Sequence, residues 1–147
     1  MRFVKKPIAL PSSYRFFYQI SIFLLILEFC CQKNKGASTF KLQLLAWALR
    51  DDEGCKSLME VTKQKQSKEN FKFLALDPAL NRAIAFALAD GFLALDNEKI
   101  IAAPKGDELL GQILSSDVFA HEKSILKTFG KSVSESFINT VLKNEKA

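Results

Sequence analysis

Residues 77–110, DPALNRAIAFALADGFLALDNEKIIAAPKGDELL, carry the pattern that decides the fold. Asp77 can cap a helix and Pro78 suits its first turn, where a missing N–H costs nothing. Leu80, Ile84, Ala87 and Leu88 then recur at the spacing of one helical face. Gly91 stops that helix, as glycine does just past a helix end. Phe92, Leu93 and Leu95 lead into the polar run Asp96-Asn97-Glu98-Lys99, and Ile100 and Ile101 resume the apolar pattern, which predicts a short β-hairpin. Pro104 opens another helix, with Asp107 and Glu108 in the first turn where negative charge is favoured.

Helix, hairpin and helix in this order are the signature of a winged-helix domain. The expected fold is therefore mostly α with a small β-wing, set among additional N-terminal and C-terminal helices. At 147 residues, one domain is the simplest organisation, large enough to bury a core without disulfides or metal. It divides into an N-terminal arm over 1–11, a winged-helix core over 12–115 and C-terminal helices over 116–147. The 48% apolar content and thirteen phenylalanines exclude a disordered chain.

Working outward, Ser12 or Ser13 can cap a helix over Tyr14–Gln32. The turn Lys33-Asn34-Lys35-Gly36 separates it from a second helix that Ser38 can cap and that runs to Arg50. Asp51-Asp52-Glu53-Gly54 reads as a polar loop before a third helix over Lys56–Lys65. Phe71, Phe73, Leu74 and Leu76 suggest a short strand. Beyond the wing, helices are expected near Asp107–Ser115, Val118–Phe129 and Val133–Lys143, the last with a capping box made by Ser132 and Glu135.

The first two helices are too apolar for a simple surface role. Between Phe16 and Cys31 only Gln19, Ser21 and Glu28 interrupt hydrophobic residues. In the second helix Phe40, Leu44, Trp47 and Ala48 share one face while Leu42, Leu45 and Leu49 occupy another. Such helices are buried on more than one side, either against a partner or second copy, or as the centre of the chain's own core. Phe16, Phe17, Leu42, Leu45 and Leu49 are accordingly candidate partner-binding residues.

Arg2, Lys5 and Lys6 precede the first apolar segment in the manner of an anchor. The uninterrupted apolar stretch Ile22–Leu27 is short, however, and Glu28-Phe29 before Cys30 is wrong for a small-residue cleavage site. A buried helix is expected rather than a membrane span. Cys30, Cys31 and Cys55 lack metal-ligand spacing and read as reduced thiols of a cytosolic protein. With His121 as the only histidine, neither zinc nor any other cofactor is expected.

The net charge of +5 is uneven. Residues 1–70 hold 12 Lys and Arg against 6 acids, whereas residues 71–147 hold 9 against 10. The densest basic stretch is Lys56, Lys63, Lys65, Lys68 and Lys72, offset only by Glu60 and Glu69, and it could neutralise phosphates in a salt-dependent way. It reads equally as a solvated loop. The helix from Pro78 turns Arg82, Ala85, Phe86 and Ala89 outward, with Asn81 and Asp90 at the margins. Sequence reading of DNA needs several Arg, Lys, Asn or Gln here, and Arg82 with Asn81 is a thin supply. The exposed Ala and Phe suit protein contact, which adds Phe86 to the partner-binding set and leaves Arg82 as its candidate DNA contact.

No catalytic constellation emerges, so an enzyme is not expected. Gly130-Lys131-Ser132 matches the end of a phosphate-binding loop, but Ile125 stands where the first glycine belongs and helical sequence replaces the upstream strand. His121 has no nucleophile at a diagnostic spacing and reads as a surface histidine.

The order of an apolar helix, GASTFKLQLLAWALR at 36–50, a basic middle and DPALNRAIAFALADGFLAL at 77–95 resembles the small middle components of bacterial three-component ABC systems, including Lamassu-type defence. The resemblance covers roughly residues 12–115 and rests on apolar spacing; Ala103-Pro104, where many winged helices place a capping threonine, departs more from DNA-binding regulators than from this family. It implies a non-enzymatic adaptor joining an SMC-like ABC ATPase to an effector subunit, commonly a nuclease, in anti-phage or anti-plasmid immunity. The competing expectation is a dimeric winged-helix transcription regulator, and a third is a membrane-associated protein using Phe16–Cys31.

Overall fold

A computed structural model describes residues 12–31, 35–63 and 78–146. Among them the chain is mostly helical with a small antiparallel sheet, as the sequence predicts. The order is α1 (Ser12–Cys30), α2 (Thr39–Arg50), α3 (Asp52–Thr62), α4 (Pro78–Ala89), β1 (Leu93–Asp96), β2 (Lys99–Ala102), α5 (Pro104–Leu114), α6 (Ala120–Phe129) and α7 (Glu135–Lys146). The arm at 1–11 and the strand suggested around Phe71–Leu76 lie outside the described residues.

Helix α1 is the axis of the molecule. It touches α2, α4, α5, α6 and β2, so every residue from Ile20 to Ile26 is buried. The only polar member, Ser21, donates its hydroxyl to the Phe17 carbonyl at 2.8 Å. Seven successive buried positions wrap all sides of a helix, and here the chain itself supplies the cover. The second apolar helix follows suit, with Lys41 to Ala46 all buried. Leu42 and Leu45, expected among partner-binding residues, are wholly enclosed. That expectation is corrected: α1, α3, α4 and α7 all pack on α2, leaving Leu42 and Leu45 no surface to offer.

Lys41 is buried for a definite reason. Its ammonium donates to the Cys30 carbonyl at 2.9 Å, at the C-terminal end of α1. There it satisfies a carbonyl with no helical partner and meets the negative end of the helix dipole.

The helix–hairpin–helix stretch forms as expected. Helix α4 ends in a Schellman motif: Phe92 N–H donates to Ala87 O at 2.9 Å and Gly91 N–H to Leu88 O at 3.4 Å, with Gly91 at φ +84°. The strands pair with Leu93 opposite Ala102 and Asp96 opposite Lys99. Asn97 and Glu98 both have positive φ (52° and 67°), the mark of a type I′ hairpin turn. A further contact comes from far away in sequence. Ala37 exchanges backbone hydrogen bonds with Ile100, at 2.9 and 2.7 Å, on the side of β2 away from β1. Gly36 makes this approach possible, since a Cβ there would stand 2.4 Å from the Ile100 carbonyl oxygen.

Several boundaries differ from the sequence reading: α1 starts at Ser12, so that Ser12 and Ser13 are helical rather than caps, α3 ends at Thr62, α6 starts at Ala120, and α7 runs from Glu135 to Lys146. Helix α3 begins at Asp52, so Asp52, Glu53 and Gly54 are helical rather than loop. Asp51 caps it by accepting from Glu53 N–H at 3.1 Å, and acids in the first turn complement the dipole. At α7 the expected Ser132–Glu135 capping box does not form. Ser134 Oγ accepts from Phe137 N–H at 3.1 Å instead, while Ser132 donates to the Phe129 carbonyl. Glu135 is thereby free to reach across the fold.

Candidate interaction surface

Helix α4 buries Leu80, Ala83, Ile84 and Ala87 and exposes Asn81, Arg82, Ala85, Phe86, Ala89 and Asp90. The outward set matches the one read from the helical period. Phe86 is 43% exposed and its ring stacks on Phe16 of α1, with centroids 5.0 Å apart and planes 14° from parallel. Phe17, the next residue of α1, is 47% exposed. Thus Phe86, backed by the half-buried ring of Phe16, places aromatic surface on the same helix face as the small side chains of Ala85 and Ala89. Of the candidate partner-binding residues, Phe17 and Phe86 are exposed, Phe16 and Leu49 are half-buried against the core, and Leu42 and Leu45 do not reach the surface.

The polar margin of α4 is engaged elsewhere. Asn81 Oδ1 accepts a hydrogen bond from the buried Gln43 side-chain amide of α2, so it is held against the body of the protein. Asp90 accepts from the Lys105 ammonium at 3.1 Å, and the same ammonium lies 4.5 Å from the centroid of the Phe92 ring. Arg82 is the one cation that α4 exposes. Sequence alone did not reveal that Asn81 is tied down, because its partner is 38 residues away.

The other candidate DNA contacts are only partly placed. Lys56 and Lys63 are exposed on and just after α3. Lys65, Lys68 and Lys72 lie outside the described residues. No group of His, Cys, Asp and Glu among the described residues could hold a metal ion. The three thiols are free. Burial, and secondarily the adjacent Cys31, pushes the Cys30 thiol up to about 12, which disfavours the nucleophilic thiolate. His121 is exposed at the start of α6. The Gly130-Lys131-Ser132 turn follows helix α6 rather than a strand, so its setting differs from that of a phosphate-binding loop. Among the described residues, no helix is long and apolar enough to cross a membrane.

Three long-range polar contacts tie the helices and the hairpin together. The Tyr18 hydroxyl of α1 donates to Glu122 of α6 at 3.1 Å; burial first, then the carboxylate, pushes the phenol up to about 12. Glu135 of α7 accepts from Ser38 N–H, at the start of α2, at 3.2 Å, and lies 3.3 Å from the Lys99 ammonium of β2. One carboxylate therefore joins α7, α2 and the hairpin.

Partial burial pushes the Glu135 carboxyl up, but the hydrogen bonds from Ser38 and the nearby Lys99 charge outweigh it and hold the group below its ordinary value. A depressed folded-state value contributes stability above the unfolded one, and that stability is lost as pH falls through the folded value. Glu135→Gln is expected to cost about 0.5–1.5 kcal/mol at pH 7. It should also flatten the decline in stability on acidification below about pH 5. Urea unfolding at pH 7 and pH 4 checks this; equal losses at both values would remove the carboxylate's charge from the account.

Comparison with protein-family models, curated proteins and solved structures returned no match.

Proposed function

We propose that the chain is a non-enzymatic adaptor subunit, acting in the cytoplasm, that docks on an SMC-like ABC ATPase and couples its engagement with DNA to an effector such as a nuclease in anti-phage or anti-plasmid defence. The single observation carrying this reading is the outward face of α4: an alanine and phenylalanine surface, with Phe86 stacked on Phe16 of α1 and Arg82 as its exposed cation. Exposed aromatic groups with small neighbours suit a protein partner, because buried aromatic anchors dominate interface energies. A DNA-reading helix needs more donors than Arg82 and an Asn81 whose amide oxygen is already engaged by Gln43. The finer fold reading is a winged helix. Helix α4, the hairpin and the backbone bridge from Ala37 to Ile100 support it, with the hairpin as the wing.

The adaptor works by conformational coupling: a change in the ATPase on DNA alters its grip on this face and so restrains or releases the effector. Co-purification with an SMC-like ATPase and an effector encoded beside this chain tests the assembly. Phe17→Ala with Phe86→Ala is expected to weaken binding to the ATPase about thirtyfold or more, the effect of losing an aromatic anchor. The unfolding midpoint should fall only modestly and the fold should persist, because each ring is a little under half exposed and neither belongs to the enclosed core. Unchanged affinity on titration would discard the α4 surface. A sequence-selective DNA footprint lost in Arg82→Ala would instead favour the winged-helix transcription regulator.

A further inference from the structure

The hydrogen bonds of the hairpin determine which way each strand's backbone faces. Ile100 uses both its N–H and its C=O on Ala37, so neither is available to Leu95, which lies opposite it on β1. In an antiparallel ladder, hydrogen-bonded and non-hydrogen-bonded pairs alternate. Leu95–Ile100 and Leu93–Ala102 are therefore non-hydrogen-bonded pairs, and the backbone groups of Leu93 and Leu95 point away from β2. The Ala103 N–H bond to the Phe92 carbonyl, at 3.0 Å, obeys the same alternation. Among the described residues no strand pairs with this outer edge. Leu95 on it is 64% exposed, and an edge that offers backbone groups beside an exposed leucine is a template for another strand.

We propose that this edge joins two copies of the chain, β1 pairing antiparallel with β1 of the second copy about a two-fold axis through Ala94. The sequence of β1 is self-complementary in that register. Leu93 of each copy lies opposite Leu95 of the other, and both pairs exchange N–H···O=C hydrogen bonds through the groups that face outward. Opposite residues share a face of the sheet, so each exposed Leu95 is covered beside the buried Leu93 of the other copy. Charges agree as well. Asp96 of one copy falls opposite Phe92 of the other, and Phe92 carries the Lys105 ammonium over its ring. That ammonium donates to Asp90 and has three protons in all, leaving donor capacity for Asp96 of the second copy. The symmetric result is a four-stranded sheet with a repeated Asp96–Lys105 pair, an isologous contact of the commonest kind. It stands on the ladder geometry and is independent of the adaptor reading.

Sedimentation equilibrium of the full chain tests the pairing. The wild-type chain is expected to dimerise, and Leu95→Pro to raise the dissociation constant at least about tenfold. That proline removes an N–H that β2 does not use, so the circular dichroism spectrum and urea midpoint of the monomer should persist. Asp96→Lys should also weaken the dimer while the circular dichroism spectrum of the monomer persists, which guards against simple misfolding of the proline variant. A wild-type chain that stays monomeric up to about 100 µM, a folded Leu95→Pro chain that dimerises as the wild type does, or a folded Asp96→Lys chain that dimerises as the wild type does would each overturn the proposal.

Discussion

Replacing Gly106 by alanine is expected to destabilise the chain by about 2–3 kcal/mol, the upper end for overpacking a close contact. The position lies in the first turn of α5, where alanine would ordinarily be the better helix former by about 1 kcal/mol. The tertiary setting reverses that preference. A Cβ on Gly106 would stand 2.1 Å from the Phe92 carbonyl oxygen and 3.0 Å from a Leu24 methyl. The first is backbone and already accepts the Ala103 N–H that closes the base of the hairpin; the second belongs to the buried axis of the molecule. Relief requires α5 to move away from both. Urea denaturation with an unchanged m-value measures the loss, and a variant as stable as the wild type would mean that α5 does not pack against the hairpin so closely.

Leu45→Ala carries an expected loss of about 2–5 kcal/mol, the range for truncating an enclosed leucine. Leu45 is fully buried between α2 and the rest of the core, so the deletion leaves a cavity rather than a smoother surface. The result separates two roles that the apolar pattern of α2 leaves open. A partner-facing leucine would lose affinity while preserving the fold; a core leucine lowers the unfolding midpoint with or without a partner. Thermal unfolding of the isolated chain decides between them. A change below about 0.5 kcal/mol, typical of exposed positions, would return Leu45 to the interface.

The contrast between Leu45 and Phe86 shows how much of the candidate surface the sequence contained. The period of α4 separated Leu80, Ile84 and Ala87 from Arg82, Ala85, Phe86 and Ala89 because one side of that helix is apolar and the other mixed. In α2 the period could not perform the same division, since both faces are apolar. Which face met the protein and which met solvent depended on the number of neighbours. The answer for Leu42 and Leu45 came from the helices packed on α2, namely α1, α3, α4 and α7.

Polar residues were harder to assign than apolar ones. Ser38 caps α2 as expected because its accepting Oγ and the Lys41 N–H that donates to it are three residues apart. Glu135 was expected to serve a local capping box, yet it binds Ser38 and Lys99, which are distant in sequence. Asn81 reads from the sequence as a polar margin of α4, and its tie to Gln43 of α2 has no local signal. The Ala37–Ile100 bridge has only a weak local signal, the glycine at 36. Asp51 to Gly54 misread as a loop because acids and a glycine suit a turn; the cap by Asp51 and the dipole favour a helix start just as well.

What the sequence by itself determined is local: the stop at Gly91, the hairpin turn, the Pro104 start, the cap at Ser38 and the two-sided greasiness of α1. Each depends on backbone preferences or on residues within a turn of one another. Only the tertiary structure decided that α1 is covered by the chain's own helices, that Lys41 closes its C-terminal end, that Phe86 lies on Phe16, and that Leu93 and Leu95 turn their backbone groups outward. Those outcomes depend on which distant segments share a volume, and periodicity along one segment carries no information about what packs against it.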